Sequence, residues 1–214
     1  MSKVIGILGE SGAGKTTSLR NLDPATTFYI DCDKKGLSWK GWRQAYVNGD
    51  NYLQSDMPQI VLKTLQALNN NEKYSKFKTV VIDTINGIMV SEEMRNVKVQ
   101  GYGKWTDLAS YIYEIVDYTL TMRDDITVII LAHSETISDD NGYLFTRMKT
   151  NGRKLDKIVL ESKLTTVLLA EVKDGKHIFR THADRSTVKT PLGSFEEDEI
   201  ENDIITVIKA LEDF

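Results

Sequence analysis

Cysteine, histidine and proline are scarce in this chain of 214 residues, at one, three and three copies, and each shortage excludes something. With Cys32 alone, no internal disulfide can form, and a reducing cytoplasm is the expected setting. One cysteine and three histidines also make a structural zinc site a poor expectation. Pro24, Pro58 and Pro191 are the only prolines, and no Gly/Ser-rich linker, repeat or low-complexity tract divides the sequence. With 41% hydrophobic and 27% charged residues, the expectation is one α/β domain over residues 1–214. No apolar run approaches the roughly 20 residues that cross a bilayer, so no membrane partner is expected. Met1-Ser2-Lys3 runs straight into an apolar stretch, which leaves no room for a signal peptide.

An excess of positive charge is missing too. The formal net charge is −4, which argues against a passive nucleic-acid glove. The distribution is uneven, however. Between Tyr143 and Lys163 six cations (Arg147, Lys149, Arg153, Lys154, Lys157, Lys163) face only Asp156 and Glu161. From Glu196 to Phe214 eight acids face Lys209 alone, so an acidic tail conceals a basic segment within the total.

What is present begins at residue 4. Val4, Ile5, Ile7 and Leu8 read as a buried parallel strand, followed by "GESGAGKTT", the G-x-x-x-x-G-K-T spacing of a phosphate-binding loop. Gly9, Gly12 and Gly14 permit the tight turn, with Glu10, Ser11 and Ala13 between them. A helix is expected to start inside the motif and run to Asp23-Pro24, offering its N-terminus to phosphate. Lys15 would reach the β- and γ-phosphates of ATP, Thr16 would ligate Mg²⁺, and Thr17 would lie by the α-phosphate. "TVVIDT" adds a second apolar strand ending in Asp83, a carboxylate suited to holding Mg²⁺ through water at the carboxyl end of a sheet. "FYIDCDKKG" ends a third strand with Asp31 and Asp33, two residues apart; they read either as a pair that positions water or as capping residues of a turn.

Further strand-like runs cover Thr27–Ile30, Thr79–Ile82, Thr127–Leu131, Thr165–Val172 and His177–Arg180, with Asp174-Gly175 as a hairpin turn. Helical patterns cover Met57–Leu68, Leu108–Met122 and Glu199–Leu211, while Lys34–Asp56 lacks clean periodicity. The alternation predicts a mostly parallel sheet with helices on both faces, closed by a C-terminal antiparallel hairpin.

The order G-x-x-x-x-G-K-T, then I-D-x-acid, then V-V-I-D resembles the RecA-like P-loop ATPase core, and the compact chain looks most like the small RecA-like ATPases of bacteriophages, several of which are single-strand annealing or recombination proteins. The resemblance implies that Asp33 orients the hydrolytic water, although the family more often has Glu there. It implies that His133, in "VIILAHSE", senses the γ-phosphate where Gln is usual. It also implies that Arg180, Arg185 and Lys189, after the closing hairpin, reach a neighbouring subunit's nucleotide. Two segments, the loops after the Mg²⁺-binding strand and after the sensor strand, would face single-stranded DNA. Residues 84–103 carry Lys98 and Tyr102, with Lys104 just beyond, and residues 134–163 carry Arg147, Lys149, Arg153 and Lys154; Trp39, Lys40, Trp42 and Arg43 form a rival surface. The implied partners are single-stranded DNA, further copies of the chain in a ring or filament built through the core alone, and a single-strand DNA-binding protein. The implied location is the host cytoplasm. The competing readings are a small-molecule (nucleotide) kinase, with Arg147–Lys157 as a lid, and a nucleotide-gated assembly factor.

Overall fold

A computed structural model describes residues 2–101, 103–138 and 141–214, with the backbone alone at Arg153. In chain order the elements are β1 (Lys3–Gly9), β2 (Thr27–Asp31), α1 (Trp42–Ala45), β3 (Tyr52–Gln54), α2 (Pro58–Asn70), β4 (Thr79–Asp83), α3 (Ile85–Arg95) and α4 (Gly103–Leu120). They continue with β5 (Thr127–Ser138), β6 (Leu144–Met148), α5 (Arg153–Asp156), β7 (Thr166–Lys173), β8 (Lys176–Arg180), β9 (Glu199–Glu201) and α6 (Ile204–Ala210). The sheet runs β3-β2-β4-β5-β1-β7-β8-β9, parallel from β3 to β7 and antiparallel thereafter, with β6 paired antiparallel to β5. This is the α/β architecture of a P-loop NTPase core with antiparallel C-terminal strands.

The central strands are apolar throughout because both faces are covered, as parallel sheets require. Val4, Leu8, Ile30, Val80, Ile82, Val128 and Ile130 point to the face packed by α2, α3 and α4. Ile5, Ile7, Tyr29, Val81, Ile129 and Leu131 point to the opposite face, with Leu19, Leu22 and the α6 residues Ile204 and Val207. Alternation along each strand divides one run of hydrophobic residues between two cores. In α2, Val61, Leu65 and Leu68 recur at helical spacing and are almost fully buried. Each such side chain stabilises the fold by about 1.5–3 kcal/mol.

Register sets the site. Gly9 pairs with His133 across β1 and β5, and Asp31 pairs with Asp83 across β2 and β4; Gly9, Asp31 and Asp83 are the last residues of their strands, while His133 lies midway along β5, level with the end of β1. The β7–β8 turn has Asp174 at φ 51° and Gly175 at φ 75°, the two positive angles of a type I′ hairpin.

Four expectations need correction. The phosphate loop leads into a single 3-10 turn, Thr17–Leu19, rather than a regular helix. Ser18 Oγ donates to the Lys15 carbonyl at 2.6 Å, a local side-chain bond that competes with helix, and Pro24 stops any extension past Asp23. Glu199–Leu211 is not all helix: Glu199–Glu201 pair with β8, and Asp203 caps α6 by accepting from Ile205 N–H at 2.9 Å. Residues 84–103 are not a loop throughout, since α3 occupies Ile85–Arg95. Strand β5 does not stop at Leu131; it continues through His133 to Ser138, where it forms a hairpin with β6.

Candidate active site

The phosphate loop spans β1 to the 3-10 turn. Gly12 and Gly14 have φ of 84° and 97°, angles that side chains other than glycine rarely adopt. At Gly14 there is a second constraint, because a Cβ would lie 2.9 Å from His177 Nδ1 and 3.1 Å from Asn202 Oδ1. Gly9 is confined as well; its Cβ would meet the Ala170 carbonyl at 2.7 Å. Lys15 is buried, and its ammonium donates to the Gly9 and Glu10 carbonyls at 2.7 and 2.8 Å. Burial pulls its pKa down to about 8, against the opposing pull of Asp83. Glu10, Ser11 and Gly12 are exposed, and Ala13 packs into the core.

Asp83 and Thr16 meet beside the loop. Thr16 Oγ1 donates to Asp83 Oδ2 at 2.8 Å, and the Tyr29 hydroxyl donates to the same oxygen at 2.5 Å. Asp83 Oδ1 is buried with no hydrogen-bond partner. Burial raises the Asp83 pKa, partly offset by Lys35, Tyr29 and Thr16. An orphaned carboxylate oxygen beside a threonine hydroxyl fits Mg²⁺, a hard cation that takes one or two protein oxygens together with phosphate and water. Thr16 and Asp83 would hold it, and Mg²⁺ would supply charge neutralisation on the phosphate oxygens.

Asp31 and Asp33 prove unlike each other. Asp31 Oδ2 accepts from Gly36 N–H at 2.8 Å, from the Tyr52 hydroxyl at 2.6 Å and from Gln54 at 3.2 Å, so it holds the following turn. Asp33 instead faces β4. Its Oδ1 accepts from Thr84 Oγ1 at 2.8 Å, and its Oδ2 from Lys35 Nζ at 2.6 Å. Thr84 also caps α3 by accepting from Gly87 N–H, and Gly87 is needed there because a Cβ would come 2.5 Å from Asp33 Oδ1. Extended alternation does not put the two acids on shared partners, because the strand ends at Asp31 and the chain turns.

His133 is half-buried, and burial followed by the nearby Lys15 charge lowers its pKa, so the ring is neutral at pH 7. Its backbone is fixed by Asn86, whose Oδ1 accepts from His133 N–H at 2.7 Å while its Nδ2 donates to the Lys149 carbonyl at 2.8 Å. A cleft of about 350 Å³ is lined by Cys32, Asp33, Asp56, Asn86, Gly87 and His133, among others. Tyr29, Asn86, Thr84 and Lys35 had no motif to reveal them; only strand register and turn geometry bring them here.

The remaining candidates divide. Lys98, Lys149 and Lys154 are exposed. Lys104 sits over the Trp105 ring at 5.5 Å, and Arg147 is paired with Glu135 at 2.9 Å and Asp156 at 3.6 Å. Tyr102 and the Arg153 side chain lie outside the described residues. Arg180 is ion-paired with Glu171 and Glu199 and borders a cleft that includes Glu10, Ser11 and Gly12 of its own loop. The Arg185 guanidinium lies 5.1 Å from the Tyr143 ring centroid, and Lys189 Nζ is 3.5 Å from the Ser162 carbonyl.

A phosphate loop facing a strand-end aspartate across a threonine hydroxyl, on a parallel sheet of this order, defines a P-loop nucleotide-binding ATPase. A sequence model of the AAA domain matches residues 1–190, and the chain belongs to that AAA domain family. No functionally curated protein matches the sequence.

Proposed function

We propose that the chain is a Mg²⁺-dependent, RecA-like ATPase that acts on single-stranded DNA in recombination or annealing. The observation that carries the ATPase reading is the Thr16–Asp83 contact beside the orphaned Asp83 oxygen, with Asp33 anchored across from it by Thr84. Lys15 binds the β- and γ-phosphates, Thr16 and Asp83 hold Mg²⁺, and Asp33 positions the attacking water. The Cys32 and Asp33 amides both donate to the Asp83 carbonyl, at 2.7 and 3.3 Å, which fixes the separation of the two acids. Positioning of this kind supplies most of the catalysis in phosphoryl transfer. A neutral His133 offers a ring N–H to a phosphate oxygen.

The DNA reading is supported by the meeting of the two basic segments. Gly152 packs so closely on Trp105 that a Cβ would lie 2.6 Å from the ring, and Asn151 donates to Glu93 at 2.9 Å. Asn86 ties Lys149 to His133, so a strand bound along Lys98, Lys149 and Lys154 would be coupled to the γ-phosphate side of the site. Arg185 and Lys189 act on a neighbouring copy in the assembled form. The test is the ATPase rate with single-stranded DNA, with a nucleoside monophosphate, and with neither. Stimulation by DNA is the expected result. Phosphorylation of the monophosphate would establish a kinase, and indifference to both would favour the assembly factor.

A further inference from the structure

Two lysines follow Asp33, and their side chains diverge. Lys34 has φ 57° and pairs with Asp56 at 2.8 Å. That left-handed residue, together with Gly36 at φ 77° and its N–H bonded to Asp31 Oδ2, folds the chain back on itself. Lys35 therefore returns over the site, with Nζ 2.6 Å from Asp33 Oδ2 and 3.9 Å from Asp83 Oδ1. The second of these is the buried oxygen that lacks a hydrogen-bond donor. A lysine side chain is an ammonium at neutral pH, and here two carboxylates face it.

On the Mg·ATP reading above, Asp83 serves the metal and Asp33 the attacking water. In an in-line displacement, the γ-phosphorus lies between the attacking water and the bridging oxygen that leaves with ADP. A cation held between the acid that would hold Mg²⁺ and the acid that would position the water would lie within reach of the γ-oxygens. The geometry points to Lys35 as a further catalytic residue: a γ-phosphate ligand supplied in cis, which bridges Asp33 and Asp83 in the nucleotide-free protein and donates to the γ-oxygens when Mg²⁺ engages Asp83. An ammonium has three donors, so it can keep Asp33 while it binds phosphate. During hydrolysis the water oxygen bonds to the γ-phosphorus as the bridging P–O bond breaks. The bond's electron pair leaves with ADP and the water's proton ends on phosphate, while Lys35 keeps its own protons throughout. ADP presents no γ-oxygen, so Lys35 selects triphosphate over diphosphate.

The test compares wild type, Lys35→Met and Lys35→Arg for binding of a fluorescent non-hydrolysable ATP analogue and of fluorescent ADP, both with Mg²⁺. Loss of a charge-assisted contact predicts analogue binding weaker by about tenfold or more in Lys35→Met, ADP binding within about twofold of wild type, and most of the preference kept in Lys35→Arg. In the nucleotide-free protein, Mn²⁺ titration followed by electron paramagnetic resonance should show tighter binding to Lys35→Met, whose two carboxylates have lost their resident cation. An unchanged triphosphate preference in Lys35→Met, or an equal loss for both nucleotides, overturns the role of Lys35 alone. Wild type that binds neither nucleotide overturns the ATP reading and this proposal with it.

Discussion

Removing one oxygen, in Tyr29→Phe, tests the proposal that Asp83 holds Mg²⁺ and that Tyr29 prepares it to do so. Tyr29 is fully buried in β2, and its hydroxyl donates to Asp83 Oδ2, the oxygen that Thr16 also bonds. The substitution keeps the ring and its packing against Tyr46, whose centroid is 5.7 Å away, so no cavity forms. What disappears is one hydrogen bond to a carboxylate that is only 1% exposed. Bonds of this kind to charged groups contribute about 1.5–3 kcal/mol. Partners that orient a metal-binding carboxylate typically change metal affinity or activity by about 10–100-fold when removed. The expected outcome is a Mg²⁺ requirement for ATP hydrolysis raised by about tenfold or more, with nucleotide affinity in the absence of metal unaltered. There is a pH signature as well. Burial already raises the Asp83 pKa and the Tyr29 bond restrains it, so its loss raises that pKa further. A carboxylate that holds Mg²⁺ must be ionised, so on the proposed role the acid limb of the activity profile should move to higher pH. The stability consequence has the same origin. A carboxyl whose folded pKa is raised favours the fold below its unfolded pKa, and that favour is lost as pH rises through the folded value; the variant should therefore lose stability mainly at neutral pH and least in acid. The assay is a Mg²⁺ titration of turnover at several pH values, paired with thermal melts. An unchanged Mg²⁺ dependence and an unshifted acid limb would refute the claim that Tyr29 conditions this site.

Lys15→Ala should abolish hydrolysis by removing triphosphate binding, whereas Asp83→Ala should retain nucleotide and lose Mg²⁺-dependent turnover; equilibrium binding alongside steady-state rates separates the two. Asp33→Asn is expected to keep ATP affinity while turnover falls by roughly 10²-fold or more, and Asp31→Asn to lower the melting temperature instead, because Asp31 holds Gly36, Tyr52 and Gln54. The reverse assignment of these two effects would show that the water-positioning acid has been misplaced. Gly14→Ala should cripple nucleotide binding with little change in the rest of the fold, since both its φ of 97° and the His177 contact oppose a Cβ; a wild-type binding isotherm contradicts this. For action between subunits, specific activity should rise with protein concentration. Mixing Arg185→Ala or Lys189→Ala with Lys15→Ala should then restore some turnover, and concentration-independent rates with no rescue would count against it.

Much of the site was legible along the chain because it is written in short-range chemistry. A strand, a glycine-spaced turn and Lys15-Thr16 are contiguous, and "TVVIDT" places Asp83 at a strand end by its own apolar run. The parallel sheet followed from alternation of strands and helices, and the type I′ turn from Asp174-Gly175. Local rules failed where side chains competed with the backbone: Ser18 bonds the Lys15 carbonyl and leaves one 3-10 turn, and Asp203 starts α6 later than the apolar pattern suggests.

The sequence by itself determined the strand, the glycine-spaced turn and the position of Lys15-Thr16 in the phosphate-loop motif, because that motif needs only neighbours in the chain. Tertiary structure decided which of two aspartates faces the site. The strand ends at Asp31, whose carboxylate is claimed by the Gly36 amide and two β3 side chains, leaving Asp33 to Thr84 and Lys35. It also decided that residues far apart in sequence share one hydrogen-bond set, as Tyr29 and Thr16 do on Asp83, and as His133 and Lys149 do on Asn86. Those contacts are set by the register of parallel strands and the curvature of a turn, and no spacing rule along the chain encodes either.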